Sequence, residues 1–133
     1  MSPCAAVFYL LSHDPVLTAT VPASRISSGI VPLRRQLPCI GIWQISEFKR
    51  TTIADNESAS MRRARIQVTV IAESYSQKSQ IFALIKTALA NVRGNYNGVD
   101  VDSIVMDIDG PDIDFPEIPV YFQSIDFIVK YLE

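Results

Sequence analysis

The sequence predicts an α+β domain in which one sheet carries helices packed against it. Three observations predict it. Apolar residues recur at helical spacing between Ser74 and Arg93. Strand-like runs lie both before and after that segment, which suits a single sheet covered by a helix. Two short helix-start signals open the chain.

The elements follow in order. Ser2-Pro3 places a capping residue before a proline at the first helical position, and Val7, Phe8, Leu10 and Leu11 supply apolar contacts for a short helix. Asp14-Pro15 repeats the signal and predicts a turn of helix from Val16 to about Thr20, stopped by Pro22. Residues 23–38 have no clean period and read as a surface connection, with short strand fragments at Arg25-Ile26 and Ile30-Val31. Cys39 to Glu47 reads as a strand with apolar groups on both faces, which belongs inside a sheet. Phe48 to Met61 is polar and long for a hairpin connection, and long loops in compact domains tend to carry function.

Arg65 to Glu73 is the clearest strand. Ile66, Val68, Val70 and Ala72 share one face; Arg65, Gln67, Thr69 and Glu73 share the other, with Ile71 the exception. Ser74 and Gln77 have capping-box spacing. The main helix then shows Ile81, Phe82, Leu84, Ile85, Ala88, Leu89 and Val92 as a wide apolar stripe, with Gly94 expected as its left-handed cap. Asn97-Gly98 marks a turn. Val101 to Asp109 reads as a strand with Ile104, Met106 and Ile108 on one face, broken by Gly110-Pro111. Val120 to Leu132 is the last strand, with Ile125, Phe127, Val129 and Tyr131 on one face.

Composition narrows the function. The 133 residues suit one domain, expected to span 1–133, and a core of its own without disulfide or metal staples. Hydrophobic residues at 48% and charged residues at 20% argue against disorder. A net charge of −2 removes any whole-molecule attraction to nucleic acid or anionic membrane. No apolar run has bilayer-spanning length, and Ala5 to Leu11 lacks the basic flank of a secretion signal. The expectation is a soluble protein made in the cytoplasm. Cys4 and Cys39 read as two buried thiols.

Candidate chemistry is sparse. The one histidine, His13, lies in a helix-ending loop, and no HExxH, CxxC, GxSxG, P-loop or GxGxxG pattern occurs. No catalytic, cofactor-binding or metal-ligating residue is assigned. The run Asp107, Asp109, Asp112, Asp114 offers oxygen ligands suited to Ca²⁺, but it fails the EF-hand pattern. Gly110 stands at the fourth position instead of the sixth, and Ile118 occupies the twelfth. The favoured reading is aspartates on the wet face of a strand followed by a Gly-Pro turn. Trp43 and Tyr75 read as core or rim aromatics. Basic clusters occur at Arg34-Arg35, at Lys49-Arg50 and at Arg62-Arg63-Arg65. A phosphate-facing patch is one reading. A solvated or intersubunit charge face is favoured, because no stacking aromatics interleave with the cations.

Several local strings resemble the phage tail-completion, or tail-terminator, family of long-tailed phages, prophages and gene transfer agents. Leu11-Ser12-His13-Asp14-Pro15-Val16-Leu17 resembles the family's opening. Arg25-Ile26 and Leu37-Pro38-Cys39-Ile40 resemble the approach to its first strand. Arg63-Ala64-Arg65-Ile66-Gln67-Val68-Thr69-Val70, with Ser74-Tyr75-Ser76 after it, resembles its central strand and main helix start. Ser124-Ile125-Asp126-Phe127-Ile128-Val129-Lys130-Tyr131 resembles its terminal strand. Asp112 to Pro119 departs from the pattern. Pattern and resemblance together imply a single mixed, mostly antiparallel sheet packed against one long helix and a short N-terminal helix.

The resemblance implies a structural virion protein, not an enzyme. It implies a ring of six copies on the head-proximal end of the tail tube, touching the tube protein and the head-completion proteins. DNA would pass through the lumen, with no cofactor and no membrane. Arg34, Arg35, Lys49, Arg50, Arg62, Arg63 and Arg65 are the candidate interface residues. Arg62, Arg63 and Arg65 are expected to meet carboxylates of a neighbouring copy, with the Asp107–Asp114 stretch as candidate partner. Other connector or tube subunits share this composition. A small ligand-binding α+β module would need a concave apolar pocket, and a metal enzyme would need the aspartate cluster.

Overall fold

The computed structural model describes residues 3–28, 37–49, 61–110, 113–115 and 120–132. The expected Ile30-Val31 fragment, Arg34, Arg35, Arg50 and most of the polar stretch after Phe48 lie outside them.

The chain opens with α1 (Pro3–Ser12) and α2 (Pro15–Thr20). The carboxylate of Asp14 accepts from the backbone N–H of Val16 at 2.9 Å and of Leu17 at 3.0 Å, satisfying donors that a helix start leaves open. A 3-10 turn over Ala23–Arg25 leads into β1 (Ile26–Ser28). Strands β2 (Cys39–Lys49) and β3 (Met61–Ala72) form the first long antiparallel pair. β3 begins four residues earlier than its alternation suggested, because Arg62 to Ala64 also pair with β2 and with the C-terminal strand.

Helix α3 (Tyr75–Leu89) starts as the capping spacing predicts: Ser74 Oγ accepts from the backbone N–H of Gln77 at 3.2 Å. Its end differs from expectation. The helix stops at Leu89, and the left-handed residue is Asn91 at φ 55°, a conformation Asn tolerates. Gly94, at φ 141°, instead opens β4 (Gly94–Tyr96). Asn97 and Gly98 both take positive φ, the requirement of a tight two-residue hairpin turn. That turn joins β4 to β5 (Val99–Asp109). β6 (Ile113–Phe115) and β7 (Val120–Leu132) complete the chain. The sequence reading missed two of the three-residue strands, β4 and β6.

The strands form one sheet in the order β1-β2-β3-β7-β5-β4, with β6 also on β7. Among the described residues only β1–β2 is parallel, so the sheet is mixed and mostly antiparallel. One face carries Ile42, Ile66, Val68, Ile125, Phe127 and Val129, all buried with Val7, Leu11, Leu17, Ile81, Ile85 and Leu89 of the helices. Such a core contributes on the order of 1.5–3 kcal/mol per fully buried large aliphatic side chain.

β5 departs from simple alternation. Its register shifts between Val101 and Ser103, so Val101 and Ile104 are both buried although three apart. Met106 lies on the core face as expected, but near the sheet edge it stays 46% exposed. At the kink after β5, the Gly110 N–H donates to the Ser124 carbonyl at 2.7 Å, and Gln123 Nε2 donates to the Gly110 carbonyl at 2.8 Å. A Cβ on Gly110 would stand 2.8 Å from Ser124 O, so only glycine fits without a shift.

Candidate assembly surface

The helices cover one sheet face; the other is built from odd-numbered β3 residues and their partners. Pleating alternates side chains across the sheet, and this splits the basic cluster. Arg62 stands opposite Tyr131, on the core side, while Arg63 and Arg65 stand opposite Lys130 and Ile128 on the other.

Each side neutralises part of its charge within the chain. On the core side, Glu47 Oε1 accepts from Arg62 Nη1 at 3.2 Å and from the buried Tyr131 hydroxyl. Gln44 Nε2 donates to Glu47 Oε2 at 3.1 Å. The Tyr131 hydrogen bond, ahead of those from Arg62 and Gln44, holds the Glu47 carboxyl below its usual range against the opposing effect of burial. On the other side, Arg65 Nη1 pairs with Asp107 Oδ2 at 2.5 Å and with Asp126 Oδ2 at 3.2 Å. Those bonds, Asp107 first, push the guanidinium pKa up. One arginine thereby ties β3 to both β7 and β5. Further along, the Thr69 and Ser124 hydroxyls meet at 2.9 Å.

Arg65, expected to meet a neighbour's carboxylate, has carboxylate partners within its own chain. Asp107, in the expected stretch, is its partner within the same chain. Arg62 also finds its carboxylate, Glu47, in its own chain. Lys49 ends β2, but its side chain lies outside the described residues, as do those of Asp109, Asp112 and Asp114.

Little else is arranged for chemistry. His13 stacks on Tyr9 with ring centroids 4.1 Å apart, and its Nδ1 lies 2.9 Å from the Tyr9 carbonyl oxygen. Cys39 is buried and Cys4 half-buried, neither in a disulfide. Among the described residues no three His, Cys, Asp or Glu side chains converge as a metal site. An open groove lies under the end of α3, lined by Leu89, Asn91, Ile104, Met106 and Phe127 among others. No described helix is long and apolar enough to cross a membrane.

The fold and surface describe a scaffold, and comparison with known proteins says of what kind. The family model of tail completion protein gp17 matches residues 5–109. The chain belongs to the tail completion protein gp17 family. Its role is accordingly structural, in the assembly of a phage-type tail. A likeness of fold to solved structures extends over nearly the whole chain. A solved chain described as "Virion of native gene transfer agent (GTA) particle" superposes with a TM-score of 0.72 at 14% identity, over 99% of this chain and 96% of that one. A second solved chain superposes at 0.56 with 15% identity, over 96% and 89% respectively. No curated protein matches the sequence.

In this tail completion protein, sequence reasoning missed Glu47 and Asp126 as partners of the arginines, and Tyr131 as a donor to Glu47. Asp126 carried a signal, since it interrupts the apolar run of β7 on the face shared with Arg65. Glu47 carried none, because a register shift between Gln44 and Ser46 decides which face it joins.

Proposed function

We propose that this protein forms a closed ring, of six copies, on the head-proximal end of a phage-type tail tube. The ring ends tube growth and presents a surface to head-completion proteins, with DNA passing through its centre. The whole chain acts as one unit within the virion, and its work is assembly without catalysis or cofactor. Membership of the tail completion family carries this reading. The likeness of fold to a gene transfer agent virion chain supports it.

The geometry suits the role. Closed rings need two different surfaces on each copy, related by a rotation. The helix-free sheet face presents Arg63, Arg65, Gln67, Asp126 and Lys130 on neighbouring rungs, all part-exposed. Both signs of charge stand there, with Arg65 held by two carboxylates. A wall of that kind is wetted, and the partnered Arg65 adds little attraction for passing DNA.

Negative-stain imaging and light scattering over a concentration series test the reading, followed by addition of isolated tail tubes. Open-centred six-fold rings that bind one end of a tube are expected. Binding along the tube wall, or a chain that stays monomeric with tubes present, would reject it.

A further inference from the structure

The two ends of the sheet are unusual in being long strands with short covers. β1 pairs only with Ile40 to Ile42 of β2, and β4 pairs only with Val99 to Val101 of β5. Among the described residues, nothing pairs with the outer edges of 43–49 or 102–109. An uncovered edge presents a row of backbone donors and acceptors to any passing strand.

These two edges match. Trp43 and Phe48 of β2 stand opposite Gln67 and Arg63 of β3, which stand opposite Asp126 and Lys130 of β7. Those in turn stand opposite Ile108 and Ser103 of β5. Segments 43–48 and 103–108 therefore occupy the same height on opposite sides of the sheet. The covers sit at opposite heights: β1 beyond the Trp43 end, and β4 beyond the Phe48 end. Two copies set side by side would meet along the open edges without their covers colliding. The pairs β2–β3, β3–β7 and β7–β5 are all antiparallel, so β2 and β5 run in opposite directions. A copy carried round a ring with strand direction preserved then lays β2 antiparallel to its neighbour's β5.

The side chains agree. Ile45 is 52% exposed on one edge; Val105 is 56% and Met106 46% exposed on the other. Gln44 and Met106 share one rung, through Ile66 and Phe127; β2 shifts register on its Phe48 side, and β5 on its Trp43 side. An edge with such a step resists pairing with an ordinary straight strand. Like charges are quenched before the edges meet: Glu47 is bound by Arg62, and Asp107 by Arg65.

We infer that β5 of one copy pairs edge to edge with β2 of the next, continuing one sheet from subunit to subunit. This deepens the ring reading and rests on it. Pairing buries Ile45 against Val105 and Met106 at the seam and satisfies backbone groups on both edges. Because the two edges differ, the contact is head-to-tail and propagates.

The test is cross-linking at a concentration where the wild-type chain is assembled. Two full-length variants, Ile45→Cys and Val105→Cys, are prepared separately, mixed and oxidised mildly. Disulfide-linked dimers are expected in the mixture, and neither variant alone should cross-link. The double variant should give a ladder of linked chains. Val16→Cys, exposed on α2, is the control and should not link to Ile45→Cys. Wild-type rings with no Ile45–Val105 link would overturn the edge pairing and leave the ring reading standing. A wild-type chain that stays monomeric at every concentration with tail tubes present, and gives no link in the mixture, would overturn both.

Discussion

Tyr131→Phe isolates one atom of the polar cluster that closes the end of the sheet. The ring of Tyr131 is 1% exposed, so the shape-conserving change leaves its packing in place. What is lost is the hydroxyl donated to Glu47, the largest influence on that carboxylate. A hydrogen bond to a charged group contributes about 1.5–3 kcal/mol net, and an acceptor that water reaches loses less when its donor is removed. The Glu47 side chain is 26% exposed and keeps Arg62 and Gln44, so the loss falls at the lower end, about 1–2 kcal/mol. With a urea slope of about 1.5 kcal/mol/M, the midpoint should fall by roughly 1 M at unchanged slope.

The pH arm adds a sign. The Glu47 pKa is lowered in the folded state, so its stabilisation is fully present above the unfolded carboxylate value. That stabilisation is lost as pH falls through the folded value. The gap between wild type and variant should therefore be full at pH 7 and narrow below about pH 4. The single tryptophan, Trp43, is a built-in fluorescence probe for the unfolding curves. Equal stability of wild type and variant at pH 7 would refute the account, as would a gap that stays constant from pH 7 to pH 3.

Other substitutions test separate parts of the argument. Gly110→Ala forces its Cβ against the Ser124 carbonyl and should cost about 1–3 kcal/mol, read as a lower urea midpoint. Asp14→Ala removes the cap of α2 and should cost about 1 kcal/mol, while Asp14→Asn retains most of the stability in the same assay. Ile66→Ala opens a hole in the middle of the core and should cost about 2–5 kcal/mol in thermal or urea unfolding. Arg63→Glu reverses a charge on the helix-free face, one strand in from the β2 edge, and should leave rings and the circular dichroism spectrum unchanged; loss of rings in light scattering would put Arg63 in the contact between copies. Reversing Arg62 is a poorer test, since it would also set two carboxylates together at Glu47.

Local chemistry settled much of this protein before any folding was considered. Asp14-Pro15 starts a helix wherever it stands, because the carboxylate caps open donors and proline needs none. The alternation of β3 and β7 and the apolar stripe of α3 determined which faces turn inward, since burial follows the period of the backbone. The α+β class followed from those elements alone. The family resemblance drew on the same strings.

What the sequence left open depends on register and on contacts far apart in the chain. α3 stops at Leu89 and Asn91 takes the left-handed conformation, which both Asn91 and Gly94 tolerate, so the pattern alone did not choose between them. The shifts after Gln44, Val101 and Met106 are single-residue slips that change which face a side chain joins. They decide that Glu47 meets Tyr131 across 84 residues of chain and that Asp107 meets Arg65. Adjacent arginines that look like one patch in the sequence fall on opposite faces of a pleated strand, and only the assembled sheet shows what each one meets.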